Sequence, residues 1–160
     1  EPFMFYGTVA SNIRMFNQEV TDEEVREAAR FVQADQFIED LPDQYNSRVI
    51  ERGASYSSGQ RQLISFARTL VTDPKILILD EATANIDTET EQVIQAGLAK
   101  LQEGRTTIAI AHRLSTIQNA DLILVLESGR IVERGTNDEL LQKHGFYYDM
   151  IQLQNSAHLD

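Results

Sequence analysis

The chain has 160 residues, no cysteine and a formal net charge of −11 at pH 7. This length is typical of about one domain, and the lack of cysteine excludes disulfides and thiolate metal sites. The excess of acidic residues argues against nonspecific binding to nucleic acid or anionic lipid, and no apolar run reaches the ~18 residues of a membrane-spanning helix.

The first half of the chain is predicted to be mainly helical. It opens on the apolar segment EPFMFYGTVASNI (1–13), whose lack of a polar lead-in suggests a cut through a larger protein. TDEE (21–24) has the spacing of a capping box and is followed by apolar residues at helical intervals, so we predict a helix near 21–33. A second amphipathic helix is predicted to begin at Ser58 and to end before Pro74.

Apolar runs typical of buried strands mark the second half. KILILD (75–80), TTIAIA (106–111) and DLILVLE (121–127) are almost continuous in apolar residues. Such runs, separated by helical segments, favour a mostly parallel sheet that helices cover on both faces. A helix is predicted over 88–102, with TETE (88–91) as its capping box.

The end of the chain is predicted to be a hairpin followed by two helices. LESGRIVERG (126–135) has the pattern of a hairpin that turns at Ser128-Gly129. TNDE (136–139) is a capping box before a short helix, and GFYYDMIQLQ (145–154) is amphipathic. By composition, the chain divides into a helical part, about 1–72, and an α/β part, about 73–160.

The stretch YSSGQRQ (56–62) has the composition of a phosphate-binding helix start. Unpaired amides and the positive end of the helix dipole point the same way at such a start and favour an anion. Ser57, Ser58, Gly59 and Gln60 could supply hydroxyl and backbone donors there, although an ordinary N-cap explains the pattern as well. The usual phosphate loop, G-x-x-x-x-G-K-[ST], does not occur in these 160 residues.

Two acidic residues and a histidine are predicted to follow strands of the sheet. Asp80 and Glu81 end the first apolar run, and open α/β sheets bind ligands outside such strand ends. Asp80 can hold Mg²⁺ there through water, and Glu81 can orient or deprotonate an attacking water. His112 follows the next run and can donate to a phosphate. The competing interpretations are two solvated acids and a structural histidine.

Together, these motifs resemble the nucleotide-binding domain of ATP-binding-cassette (ABC) proteins over essentially the whole chain. YSSGQRQ is similar to the family signature, usually written LSGGQ, and ILILDE (76–81) to the Walker B strand with its catalytic glutamate. ANID (84–87) resembles the D-loop, and AHRLST (111–116) the switch-histidine loop. Glu51-Arg52-Gly53 and the opening segment resemble ABC exporters, with bacterial multidrug-type half-transporters as the nearest likeness.

The resemblance implies an α/β fold, a P-loop NTPase (ABC ATPase) fragment with a mostly parallel sheet and flanking helices. Residues 1–72 would be the helical subdomain that carries the signature, and 73–160 the C-terminal part of the RecA-like ATPase core, without the Walker A portion. The implied activity is hydrolysis of ATP with Mg²⁺. It would drive export of a hydrophobic or drug-like substrate, and the chain would lie at the cytoplasmic face of the cell membrane as part of an integral membrane transporter.

The resemblance also implies a role for each site residue. Glu81 would act as general base, His112 would contact the γ-phosphate, and Asp80 would organise Mg²⁺ through water. Asp87 of the D-loop would lie at the nucleotide. The partners implied are a second nucleotide-binding domain, identical or not, and the coupling helices of transmembrane domains. The signature residues that would contact ATP held by the partner subunit are Ser57, Ser58, Gly59 and Gln60.

Two residues depart from the family signature. Tyr56 replaces its leucine, with an expected effect on packing only. Ser58 replaces its first glycine, and a serine would cost about 1–2 kcal/mol if that position required a positive φ. Arg61 and Arg68, which share one face of the predicted helix, are expected to be solvated.

Two other functions stay open from the sequence. One is a soluble ABC ATPase that acts on DNA, ribosomes or assembly factors, which the exporter-like segments disfavour. The other is a regulatory or interaction module without catalysis, which Glu81 and His112 together disfavour for a parent protein. For the isolated fragment, lack of catalysis is the expected state.

Overall fold

The computed structural model describes residues 2–15, 17–80, 88–110 and 117–157. They belong to two compact units, Glu1–Ile108 and Ala109–Asp160, and the predicted division near residue 72 stays a prediction. The helices are α1 (Val9–Arg14), α2 (Asp22–Phe31), α3 (Asp35–Glu39), α4 (Ser58–Leu70), α5 (Thr88–Gln102), α6 (Asn137–Lys143) and α7 (Phe146–Ala157). The strands are β1 (Gly7–Thr8), β2 (Arg48–Val49), β3 (Ile76–Asp80), β4 (Thr106–Ile110), β5 (Ile123–Glu127) and β6 (Arg130–Gly135).

Capping boxes fix the starts of α2 and α6, as predicted. At α2, Thr21 Oγ1 accepts from the amide of Glu24 at 3.2 Å, and Glu24 Oε2 accepts from the amide of Thr21 at 2.7 Å. The hydrogen bonds from Thr21 lower the pKa of Glu24. The box predicted at Thr136 is present at the start of α6. The box predicted for α5 involves side chains outside the described residues.

Helix α4 lies at the centre of the first unit. It packs against α1, α2 and α5 and buries an apolar face, because its apolar residues recur every three or four positions. This confirms the predicted amphipathic helix, which ends at Leu70. The buried side chains of that face are Leu63, Ile64, Phe66 and Ala67.

Arg68 joins the far end of α4 to the start of the chain, and it is not the solvated residue that was expected. Its Nε donates to the carbonyl oxygen of Asn12 and its Nη1 to that of Phe3, both at 2.8 Å. Its Nη2 donates to Asn12 Oδ1 at 3.1 Å, and Asn12 is only 1% exposed. Burial lowers the pKa of the Arg68 guanidinium. Asn12 in turn donates to the carbonyl oxygens of Phe5 and Thr8.

Arg68→Met is therefore expected to lower the free energy of unfolding by about 2–4 kcal/mol, because it removes the donors to the carbonyl oxygens of Phe3 and Asn12 and one of the two donors to Asn12 Oδ1. Urea denaturation followed by circular dichroism measures this loss. Arg30→Met, at an exposed position of α2, is the matched control. Equal midpoints for the two variants would show that the Arg68 bonds add nothing to stability.

Strands β3 and β4 are neighbours in a two-stranded sheet. The amide of Thr106 donates to the carbonyl oxygen of Lys75 at 3.1 Å, so the two strands begin side by side, as parallel strands joined by a helix do. Leu77 is buried on one side of β3, whereas Ile78 is 70% exposed on the other. The expectation that this pair is covered on both faces is not met within the described residues.

The second unit contains the predicted hairpin. Strands β5 and β6 pair antiparallel, and the turn residues Ser128 and Gly129 have φ of 48° and 76°, the left-handed values that favour Gly at a two-residue turn. The Glu133 carboxylate on β6 accepts from the amides of Phe146 and Tyr147, each at 3.0 Å. It thereby caps α7, the predicted terminal helix, and seats Tyr147 in the core of this unit.

Candidate functional site

The start of α4 is closed by a capping box between the first and last residues of the SSGQ sequence. Ser57 Oγ accepts from the amide of Gln60 at 3.1 Å, and Gln60 Oε1 accepts from the amide of Ser57 at 3.0 Å. Both side chains are therefore hydrogen-bonded to the backbone of this helix start, which holds its amides in a fixed geometry.

The amides of Ser58 and Gly59 remain as donors at this helix start. Within the described part of the chain, neither amide has a hydrogen-bond acceptor. The first turn of α4 also lacks acidic residues, whereas the capped starts of α2 and α6 carry two or more. Two free amides at the positive end of a helix dipole, without a resident carboxylate, favour a bound anion.

Ser58 fits this helix start without backbone strain. The left-handed non-glycine residues of the described chain do not include Ser58, which is the first residue of α4. Because the position following the N-cap has a helical, negative φ, serine is tolerated there. Ser58 therefore does not carry the cost of about 1–2 kcal/mol that a positive φ would impose.

Tyr56 is buried under this helix start, with 5% of its surface exposed. Its hydroxyl donates to the carbonyl oxygen of Arg48 at 3.2 Å, and burial raises the pKa of the phenol. Tyr56 therefore adds a hydrogen bond to β2, in addition to the packing that was predicted for it.

The residues ahead of the helix form a strained turn. Glu51, Arg52 and Gly53 have φ of 48°, 58° and 80°, and a left-handed conformation costs a non-glycine residue about 1–2 kcal/mol. Gly53 is required because a Cβ there would lie 2.9 Å from Met4 Cγ. Strain of this kind concentrates at functional segments, and the side chains of Glu51 and Arg52 are exposed.

Arg61 ties this turn to α4. Its Nη1 donates to the carbonyl oxygen of Tyr56 at 2.7 Å and lies 3.4 Å from that of Gly53. The expectation that Arg61 is merely solvated is therefore wrong, as it is for Arg68. Periodicity placed both arginines on one face but carried no signal for their carbonyl partners.

The other predicted site residues are three acidic residues and one histidine, none of which belongs to the start of α4. Asp80 is the last residue of β3 and is exposed, as a carboxylate that holds an ion through water requires. Glu81, Asp87 and His112 lie outside the described residues. Their roles, and that of Asp80 in holding Mg²⁺, stay predictions. Among the described residues, no three His, Cys, Asp or Glu side chains are grouped as a metal site.

Within the described ranges, no helix has both the length and the apolar composition to cross a bilayer.

A family described as ABC transporter matches residues 6–84. The chain is 61% identical over all of its 160 residues to a Streptococcus pneumoniae protein named as an ABC transporter ATP-binding protein, exp8. It is 56% identical over 154 residues, 96% of the chain, to the Bacillus subtilis protein YheH, named as a multidrug resistance ABC transporter ATP-binding/permease protein.

A solved structure of a bacterial Atm1-family ABC exporter with ATP bound is similar in fold. It aligns with 95% of this chain with a TM-score of 0.85 and 43% sequence identity. The chain spans 27%, 23% and 27% of the lengths of the pneumococcal protein, YheH and the exporter, respectively.

Proposed function

This chain belongs to the ABC transporter ATP-binding family, and from that premise we propose that it works as part of a longer exporter. In that protein, hydrolysis of ATP drives export of a hydrophobic or drug-like substrate. Support comes from a relative named as a multidrug resistance transporter and from the likeness to an exporter with ATP bound.

One observation carries the proposal, namely the two free amides at the start of α4. The capping box of Ser57 and Gln60 fixes the backbone, and the amides of Ser58 and Gly59 have no acceptor among the described residues. A phosphate is a ligand that such a helix start favours. We propose that these amides bind the γ-phosphate of ATP held by the phosphate loop of a second nucleotide-binding domain.

The chemical roles proposed for the other site residues follow from their chemistry and from the family. Asp80 would hold Mg²⁺ through water, and its exposed position at the end of β3 fits that role. When bound, Mg²⁺ neutralises charge on the phosphates. Glu81 would take the proton of the attacking water, and His112 would donate to the γ-phosphate. Asp87 would lie near the nucleotide at the dimer interface.

The proposed membrane partner fits an exposed surface of the first unit. Phe3, Tyr6 and Ile50 are 53%, 78% and 45% exposed, and Tyr6 and Ile50 directly flank the paired strands β1 and β2 in the sequence. We propose that these exposed apolar side chains and the turn Glu51–Gly53 contact the coupling helices of transmembrane domains. The chain would then lie at the cytoplasmic face of the membrane.

The proposed function is tested on the full-length protein in proteoliposomes. We expect it to hydrolyse Mg-ATP and to move fluorescent hydrophobic dyes in an ATP-dependent manner. Hydrolysis without transport of any compound in a panel of hydrophobic dyes and drugs would reject the substrate class. Absence of hydrolysis would reject the whole proposal.

The isolated 160-residue chain is expected to bind Mg-ATP no tighter than about millimolar, an association free energy of only about 4 kcal/mol. Its sequence contains no G-x-x-x-x-G-K-[ST] loop, which in P-loop ATPases supplies the main contacts to the β- and γ-phosphates. Isothermal titration calorimetry measures the affinity, with the full-length protein as the positive control. Micromolar binding by the isolated chain would show that another part of it grips the nucleotide.

A further inference from the structure

Arg61 lies one turn into α4 and connects this helix to the residues ahead of it. Its side chain donates to the carbonyl oxygen of Tyr56 at 2.7 Å and lies 3.4 Å from the carbonyl oxygen of Gly53. Its own amide donates to the carbonyl oxygen of Ser57 at 3.0 Å, which is the first bond of the helical ladder. One residue therefore holds both the start of the helix and the carbonyl groups of the preceding turn.

The turn that Arg61 holds is strained and outward-facing. Its three residues, Glu51 to Gly53, all have positive φ, and such a conformation persists only when its surroundings hold it. The side chains of Glu51 and Arg52 are exposed. Gly53 faces inward, because its carbonyl oxygen lies 3.4 Å from Arg61 Nη1 and a Cβ added to it would lie 2.9 Å from Cγ of the buried Met4.

We propose that Arg61 is a positioning residue for ATP hydrolysis, an inference that rests on the proposed function. The capping box fixes the amides of Ser58 and Gly59 relative to α4, and Arg61 fixes this helix start relative to the turn Glu51–Gly53. Displacement of the turn by a membrane domain then reaches the phosphate-facing amides through one guanidinium group. Arg61 itself does not touch the nucleotide.

Arg68 provides an internal contrast. It carries the same guanidinium group on the same helix, seven residues and about two turns later. Its bonds go to Phe3 and to the buried Asn12, so its loss removes donors from the interior. Arg61 instead holds a turn whose outer side chains are exposed. Loss of Arg68 should therefore reduce the folded fraction, and loss of Arg61 should reduce the rate of the folded protein.

The test measures ATPase rate against ATP concentration, together with thermal unfolding, for the full-length protein in nanodiscs. Arg61→Met keeps an aliphatic stem and removes the donors. We expect kcat to fall about tenfold to hundredfold, which corresponds to the loss of one charge-assisted hydrogen bond. KM for ATP should change less than about twofold, because the nucleotide is gripped mainly by the phosphate loop of the other subunit.

Arg61→Lys is the conservative variant, since it keeps the charge and one donor for the carbonyl oxygen of Tyr56. It is expected to restore kcat to within about threefold of wild type. Repeating the assays at high ionic strength distinguishes a rate loss caused by the missing hydrogen bond from one caused by the missing charge. A charge that acts through solvent is screened, whereas the effect of a lost hydrogen bond should persist.

A kcat of Arg61→Met within twofold of wild type would overturn the proposal. So would a loss of rate that matches a loss of folded protein, the behaviour expected of Arg68→Met, or a loss that disappears in high salt. Absence of hydrolysis by the wild-type protein would reject the proposed function and this inference together. An active wild type with an equally active Arg61→Met would reject only the role of Arg61.

Discussion

Replacing Glu81 by glutamine in the full-length protein is expected to lower steady-state ATP hydrolysis by about 10²–10⁴-fold, the usual effect of losing a general base. Glutamine keeps the size of the side chain and its ability to hydrogen-bond, but it cannot take a proton from water. ATP binding should persist because, in the proposed arrangement, the phosphate loop and the amides at the start of α4 hold the phosphates. Dimers closed around ATP should therefore accumulate, since the step that reopens them is blocked.

The measurement is phosphate release in proteoliposomes, together with the amount of ATP retained after rapid gel filtration. Glu103→Gln is the matched control, because it removes the same charge from an exposed position just after α5. We expect Glu103→Gln to behave as wild type. Turnover by Glu81→Gln near the wild-type rate would show that another group acts as the base.

Elements with strong local signals could be predicted from the sequence. Helices α2 and α6 start at the predicted capping boxes, and the hairpin turns at Ser128 and Gly129 as predicted. Each of these signals lies within a few residues, and its physical cause is local. The short helix α1 was not predicted, because its capping box pairs Thr8 with a serine, Ser11, instead of Glu or Gln.

Contacts between distant residues could not be predicted in the same way. Arg68 and Phe3 are 65 positions apart, and helical periodicity shows which face a residue occupies but not what lies against it. The solvated interpretation of Arg61 and Arg68 failed for this reason. Exposed and carbonyl-bonded arginines give the same sequence pattern, and only the tertiary fold distinguishes them.

The candidate site shows the same division between local and distant information. The SSGQ pattern predicted donors at a helix start, and the structure describes that start with its capping box. The roles predicted for Asp80, Glu81 and His112 depend instead on how the strand ends are arranged. Strands β3 and β4 are neighbours, and Glu81 and His112 lie outside the described residues, so these roles stay predictions.

Replacing Gly59 by aspartate in the full-length protein is expected to abolish closure of the site that this subunit completes. The amide of Gly59 is one of the two free donors at the start of α4. A carboxylate placed there lies where the γ-phosphate should dock, and like charges at close range in a poorly hydrated interface oppose closure by several kcal/mol. Gly59→Asn is the matched control, because it has nearly the same shape without the charge.

Which subunit loses nucleotide trapping shows whether the start of α4 acts on the ATP of its own subunit or on the ATP of its partner. Each subunit binds ATP at its own phosphate loop, on a different surface from the start of α4 in the proposed arrangement. In a dimer with one tagged Gly59→Asp subunit, vanadate-dependent nucleotide trapping should therefore disappear from the phosphate loop of the untagged partner. ATP binding by the tagged subunit should persist, because its own phosphate loop is intact. Loss confined to the tagged subunit would show that the amides of Ser58 and Gly59 act on their own nucleotide.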